Sequence, residues 1–178
     1  MKILIASDLH GSAYYAEKLL ERYHAENADK LVLLGDIYNH GPRNQLPKEY
    51  NPMKVAELLN GVKEKLLVIK GNCDSEVDNM ISEFSFVQDL AIISGEKTVF
   101  LTHGHVFNKD NMPKTNFDAI IYGHFHTGFV DRIDKAVVAN TGSLSLPKNN
   151  TKHSYVILEN DMIFLKDIDG NEIDKIKI

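Results

Sequence analysis

The sequence predicts an α/β protein in which two β-sheets pack on each other with helices outside. Residues 1–70 alternate short apolar runs with helical periodicity, the pattern of parallel βαβ units. Between residues 99 and 139 apolar runs recur with little room for helices between them. Residues 155–178 alternate apolar and polar side chains, as antiparallel strands with one exposed face do.

Ile3 to Ala6 is continuously apolar, which suits a strand buried on both faces. Ser12 opens a helical stretch to about Glu26, with Ala13, Ala16, Leu19, Leu20 and Tyr23 on one face. Leu31–Leu34 reads as a second buried strand. Pro52, tolerated in a first helical turn, opens a second helix through Val55, Leu58, Leu59 and Val62. Leu66–Ile69 is a third strand. Val99–Thr102, Ala119–Tyr122 and Val137–Ala139 follow as strands, then Tyr155–Leu158, Met162–Lys166 and Ile173–Ile178. Asn160-Asp161 and Asp169-Gly170-Asn171 supply the turns between the last three. Residues 38–52, with Gly41, Pro42 and Pro47, form one long irregular loop, a kind of segment that often carries function.

The 178 residues suit one domain, and neither a linker nor an internal repeat divides them, so residues 1–178 are expected to fold as a unit. A formal charge of −5 argues against coating a nucleic-acid duplex. The single cysteine excludes an intramolecular disulfide and a four-thiolate zinc site. No apolar run approaches a membrane span, and the N-terminal apolar stretch is too short for a signal sequence before Asp8. A cytoplasmic protein without membrane contact is expected.

The chemistry gathers where the apolar runs end. The first is followed by Asp8-Leu9-His10, the second by Gly35-Asp36 and the third by Gly71-Asn72-Cys73-Asp74. Later runs end in Thr102-His103-Gly104-His105, Gly123-His124-Phe125-His126 and Asn140-Thr141-Gly142-Ser143. Open α/β sheets place their sites at the carboxyl ends of strands. A single Asp or His there is usually a turn or capping residue. Together, imidazole, carboxylate and amide oxygen at successive strand ends make a ligand set for divalent transition metals.

This series, Asp8-x-His10, Gly35-Asp36, Gly71-Asn72, His103 and Gly123-His124-x-His126, resembles the calcineurin-like metallophosphoesterases. Asn39-His40-Gly41-Pro42-Arg43-Asn44, the residues from Gly71 to Asp78 and Thr102 to His105 are similar to its small bacterial YfcE-type phosphodiesterases. The resemblance implies a four-layer α/β/β/α sandwich, two mixed sheets flanked by helices. It implies one metal on Asp8, His10, Asp36 and His126, and a second on Asp36, Asn72, His103 and His124. Manganese suits this mixed set; iron, zinc or nickel are alternatives. A water bridging the ions would be activated as hydroxide and attack phosphorus in line. Asp8, Asp36 and that hydroxide leave two divalent ions with a positive surplus, which a phosphodiester monoanion would seek.

Three further residues are candidates around the metals. Where many relatives carry a histidine after Gly-Asn, this chain has Cys73, as the subgroup does, so Cys73 is a candidate proton donor or a packing residue. Without a strong acid, aryl diesters such as bis-p-nitrophenyl phosphate are expected to turn over better than alkyl ones. His105 is a second candidate donor and substrate contact. Arg43, with its planar donor fork, is a candidate phosphate contact beside Asn72. Asp74 is expected to orient a ligand histidine or cap a helix, and Asn140 and Gly142 to shape the loop beneath the metals. The partner is a small phosphodiester, and a homodimer or tetramer is implied by the resemblance. A phosphomonoesterase or nucleotide phosphatase with the same metals, and a non-catalytic scaffold of the same fold, are the alternatives.

Overall fold

The computed structural model describes residues 1–178. Its first sheet has seven strands, in the order β12-β11-β10-β1-β2-β3-β4. These are β1 (Lys2–Ala6), β2 (Lys30–Leu33), β3 (Leu66–Ile69), β4 (Phe86–Val87), β10 (Ser154–Glu159), β11 (Met162–Asp167) and β12 (Glu172–Lys177). β1 to β4 pair in parallel, and β10 returns antiparallel against β1, with Leu4 opposite Ile157. The second sheet runs β5-β6-β7-β9-β8. It comprises β5 (Leu90–Ser94), β6 (Lys97–Leu101), β7 (Ala119–Tyr122), β8 (Phe129–Ile133) and β9 (Ala136–Asn140), with β6, β7 and β9 parallel.

Alternate side chains of β1 and β2 build two different cores, because successive residues of a strand face opposite ways. Ile3, Ile5, Val32 and Leu34 point between the sheets and meet Val99, Leu101, Ala119, Ile121, Val137 and Ala139. Leu4, Ala6, Leu31 and Leu33 point the other way, under the helices α1 (Ala13–Ala25) and α2 (Pro52–Asn60). The buried stripe of α1 is Ala13, Ala16, Leu19 and Tyr23. Ser12 caps α1 by accepting from Tyr15 N at 3.3 Å, and Asn51 caps α2 by accepting from Lys54 N at 3.1 Å.

The α/β class and the two mixed sheets are as expected, with differences in detail. Both helices cover the first sheet. The outer face of the second, Phe100, Ile120, Tyr122 and Val138, is covered by Phe107, Met112 and Phe117 from an irregular segment. Those three lie five residues apart, a spacing that matches neither helix nor strand. α2 stops at Asn60, short of Val62, where Gly61 caps it and glycine's poor helix propensity ends the run. β4, β5 and β8 were not expected. β4 has two residues, β5 has no fully buried residue before Ser94, and β8 exposes Asp131 and Arg132. Edge strands of this kind lack the apolar signal of a central strand.

Candidate metal centre

The parallel strands β1, β2, β3, β6, β7 and β9 all release their chains at one end of the sandwich, and the ligand-type residues follow there. The backbone takes an uncommon form at this end. Asp8, His10, Asp36, His124 and His126 have φ of 59°, 50°, 55°, 63° and 60°. Left-handed conformations at non-glycine residues cost free energy and persist where the surroundings fix them. The preceding glycines have a separate reason. A Cβ at Gly71 would collide with the Asp36 carboxylate, and one at Gly123 with Ser7 and Asp8.

Two groups of donor atoms result. Asp8 Oδ1 lies 3.3 Å from His126 Nε2 and 3.6 Å from His10 Nε2, and the two imidazole nitrogens are 3.1 Å apart. Beside them, His103 Nε2 lies 3.0 Å from Asn72 Oδ1, 3.2 Å from His124 Nδ1 and 3.4 Å from Asp36 Oδ1. Asp36 stands between the groups and turns its other oxygen, Oδ2, toward His10 Nε2 at 3.8 Å. Asp8, His10 and His103 are buried; Asn72 is exposed at the mouth.

The hydrogen bonds around the imidazoles show what the groups lack. Nδ1 of His10, His103 and His126 faces the carbonyls of Asn39, Leu34 and Leu146 at 2.8, 2.6 and 2.7 Å. A carbonyl only accepts, so each Nδ1 carries the hydrogen. In the neutral rings, each Nε2 then offers a lone pair. The lone pairs of His10 and His126 face each other, and that of His103 faces an amide oxygen. Asp8 Oδ1 is buried without a hydrogen-bond partner. Such convergence is repulsive unless a cation or protons sit among the donors. Separations of 3.0–3.8 Å are what donors around one ion with bonds of about 2.1 Å would show. The residues therefore fit divalent metal, and the backbone carbonyls fix the imidazole tautomers for it.

The protonation preferences express the same demand for positive charge. Burial pushes the His103 imidazole down, but Asp36, Asp8 and the Leu34 carbonyl outweigh it and raise it to about 9. Burial likewise opposes Asp8, yet His10 and His126 hold its carboxyl well below the ordinary value. His124 goes the other way, lowered to about 4 by burial and by His103.

Asp74 has a different role from the expected one. Its carboxylate reaches no histidine and instead accepts three backbone N–H groups. Oδ2 takes Asp36 N at 2.8 Å and Gly71 N at 2.7 Å, and Oδ1 takes Ile37 N at 2.8 Å. One buried side chain thus ties the loop after β2 to the loop after β3, fixing Asp36 beside Asn72. Ser143 and Ser145 both donate to Asp8 O, at 2.9 and 3.0 Å. Asn140 donates to Gly123 O at 2.7 Å, and its Oδ1 accepts from Gly142 N at 2.9 Å, which fastens the β9 loop under His124.

The site opens into a cavity of about 620 Å³ lined by His10, Asp36, Asn72, Cys73, His124 and His126 at its floor. Arg43 and Lys148 stand in its wall. Cys73 Sγ receives Asn72 Nδ2 at 3.3 Å, and burial together with Asp36 pushes the thiol up to about 12. His105 is exposed beside the cavity, its ring 5.4 Å from His103 and 6.2 Å from His124. Lys148 was not anticipated: it follows no strand end, and no motif marks it.

The model of the calcineurin-like phosphoesterase superfamily domain matches residues 1–162. Phosphodiesterase YfcE of Escherichia coli K12 is 44% identical over 165 residues, covering 92% of this chain and 90% of the relative. Phosphodiesterase MJ0936 of Methanocaldococcus jannaschii is 26% identical over 144 residues, 80% of this chain and 83% of its own. The solved structure of the E. coli YfcE phosphoesterase superposes with a TM-score of 0.96 at 40% identity, each chain covered in full. Vacuolar protein sorting 29 of Cryptosporidium parvum shares the fold, with a TM-score of 0.68 at 16% identity over 99% of this chain and 98% of its own.

Proposed function

The chain belongs to the calcineurin-like phosphoesterase superfamily, and we propose that it is a phosphodiesterase that works with two divalent ions, manganese in the first instance. One observation carries this reading: two groups of converging donors share Asp36, which offers one oxygen to each. Asp8, His10, Asp36 and His126 would hold one ion, and Asp36, Asn72, His103 and His124 the other. When bound, such a pair lowers the pKa of a coordinated water and draws charge from the phosphoryl oxygens.

The remaining residues shape what the site accepts. Asn72 is neutral where a carboxylate would cancel the positive surplus that attracts a phosphodiester monoanion. Arg43 stands in the cavity wall, where its planar fork suits a phosphate group of the substrate. Cys73 lines the cavity beside Asn72, and a thiol there is a weaker acid toward a leaving alkoxide than an imidazolium would be. His105, outside the lining, meets the part of the substrate that projects past His124. The reading therefore favours aryl over alkyl leaving groups.

The test is hydrolysis of bis-p-nitrophenyl phosphate and p-nitrophenyl phosphate by chelated protein titrated with manganese. The expected result is manganese-dependent cleavage of the diester in preference to the monoester, lost in Asp36→Asn and His124→Ala. Preference for the monoester would favour the phosphatase alternative. Failure to cleave either ester with metal bound would favour a binding role.

A further inference from the structure

The cavity above the metal-binding residues carries more positive charge than a simple diester uses. Asp36 is the one acidic residue in its lining, while Arg43 and Lys148 are both there. This occurs in a chain of net charge −5. Some lysines elsewhere are held by acids, as Lys152 is by Asp167 at 2.8 Å and Lys166 by Glu26 at 2.7 Å, whereas Lys148 and Arg43 in this lining have no acidic partner.

Both cations are rooted in segments braced against the same pair of histidines. Lys148 N donates to His126 O at 2.8 Å, and Thr151 closes the turn by donating from N and Oγ1 to Lys148 O at 3.0 and 2.8 Å. Arg43 lies in a loop whose Asn39 carbonyl accepts from His10 Nδ1 at 2.8 Å. That loop is cross-linked internally: Gly41 N donates to Asn39 Oδ1 at 2.8 Å and Asn44 Nδ2 to His40 O at 2.9 Å. The backbones beneath both cations are therefore fixed relative to His10 and His126. The rim beside His124 is different. Phe125 packs edge-on against His124 with ring centroids 5.1 Å apart and remains 44% exposed. The lining is cationic through Arg43 and Lys148, and the surface next to His124 presents an exposed aromatic ring.

We propose that the natural substrate is an asymmetric phosphodiester, one of whose alcohol portions bears a phosphomonoester received by Lys148 together with Arg43. The proposal rests on the phosphodiesterase reading of the same site and deepens it. A diester is a monoanion that the metal-loaded centre alone can balance. A phosphomonoester is close to a dianion near neutral pH, which a guanidinium and an ammonium match in charge. Arginine supplies the planar fork and lysine the point charge.

The test uses manganese-loaded enzyme and the p-nitrophenyl ester of thymidine 5′-phosphate, with and without a 3′-phosphate. The wild type is expected to prefer the 3′-phosphorylated ester by about tenfold in kcat/KM, the worth of one charge-assisted contact. Lys148→Ala is expected to bring that ratio close to one, mainly through KM. Equal cleavage of the two esters by the wild type, or an undiminished ratio in Lys148→Ala, would overturn the proposal. Calorimetry gives a readout independent of turnover. Thymidine 3′,5′-bisphosphate should bind more tightly than thymidine 5′-phosphate, and Lys148→Ala should abolish the difference. Equal affinities in the wild type would also overturn it. Lack of turnover with bis-p-nitrophenyl phosphate would instead count against the phosphodiesterase reading, and the calorimetric comparison would still decide the subsite.

Discussion

Asp74 shows how a residue that need touch neither substrate nor metal can govern the site. Its buried carboxylate accepts three backbone N–H groups from the two loops that carry Asp36 and Asn72. Asp74→Ala would strand those donors, at a cost of roughly 3 kcal/mol in stability, measurable by urea unfolding. Asp74→Asn can keep the pair at Oδ2 and lose the bond to Ile37. It should weaken manganese binding by about 10- to 100-fold while the fold survives; unchanged metal affinity would show that the clamp does not position Asp36. Cys73→Ala should leave bis-p-nitrophenyl phosphate turnover within about threefold, because nitrophenolate leaves without a general acid. A loss beyond that would make the thiol a proton donor. The metal-binding candidates were legible in the sequence because residue type and strand-end position both point to coordination. Asp74 was misread, since its partners are backbone amides that no motif records. Lys148 was invisible, because only folding brings it beside His126.

Among the elements, α1 is tied to the sheet at its C-terminal end by Glu26. Lys166 Nζ and Tyr155 OH both donate to Glu26 Oε1, at 2.7 and 2.8 Å. Burial pushes the Glu26 carboxyl up, but Lys166 and Tyr155 outweigh it and leave it lowered in the folded state. A group lowered on folding adds stability above its unfolded pKa, and that stability is lost as pH falls through the folded pKa. Glu26→Gln should therefore cost roughly 1 kcal/mol at pH 7, with the gap to the wild type closing as the pH falls below about 4. A gap independent of pH in urea denaturation would contradict this account. The central strands and both helices were legible from apolar runs and capping residues. The edge strands β4, β5 and β8 were not, because pairing on one side leaves them short, half-exposed or charged.

At the scale of the whole molecule, the two sheets form a sandwich whose parallel strands aim their C-terminal ends at one place. No helix is long and apolar enough to cross a membrane. The convergence of lone pairs and buried carboxylates opposes folding when the donors are left uncompensated. Manganese should then raise Tm by several degrees, and chelation should reverse the gain, because an ion that binds only the folded chain stabilises it by mass action. The sandwich was legible from the change of pattern along the chain, βαβ units first and antiparallel strands last. The irregular cover over the second sheet was not, since its apolar residues follow no period. The most direct measurement of the central claim is manganese stoichiometry with electron paramagnetic resonance on the same sample. The account predicts two ions per chain with a spin-coupled signal in the wild type, and loss of the coupling in Asp36→Asn. One ion per chain, or two ions without magnetic coupling in the wild type, would contradict a pair of ions joined through Asp36.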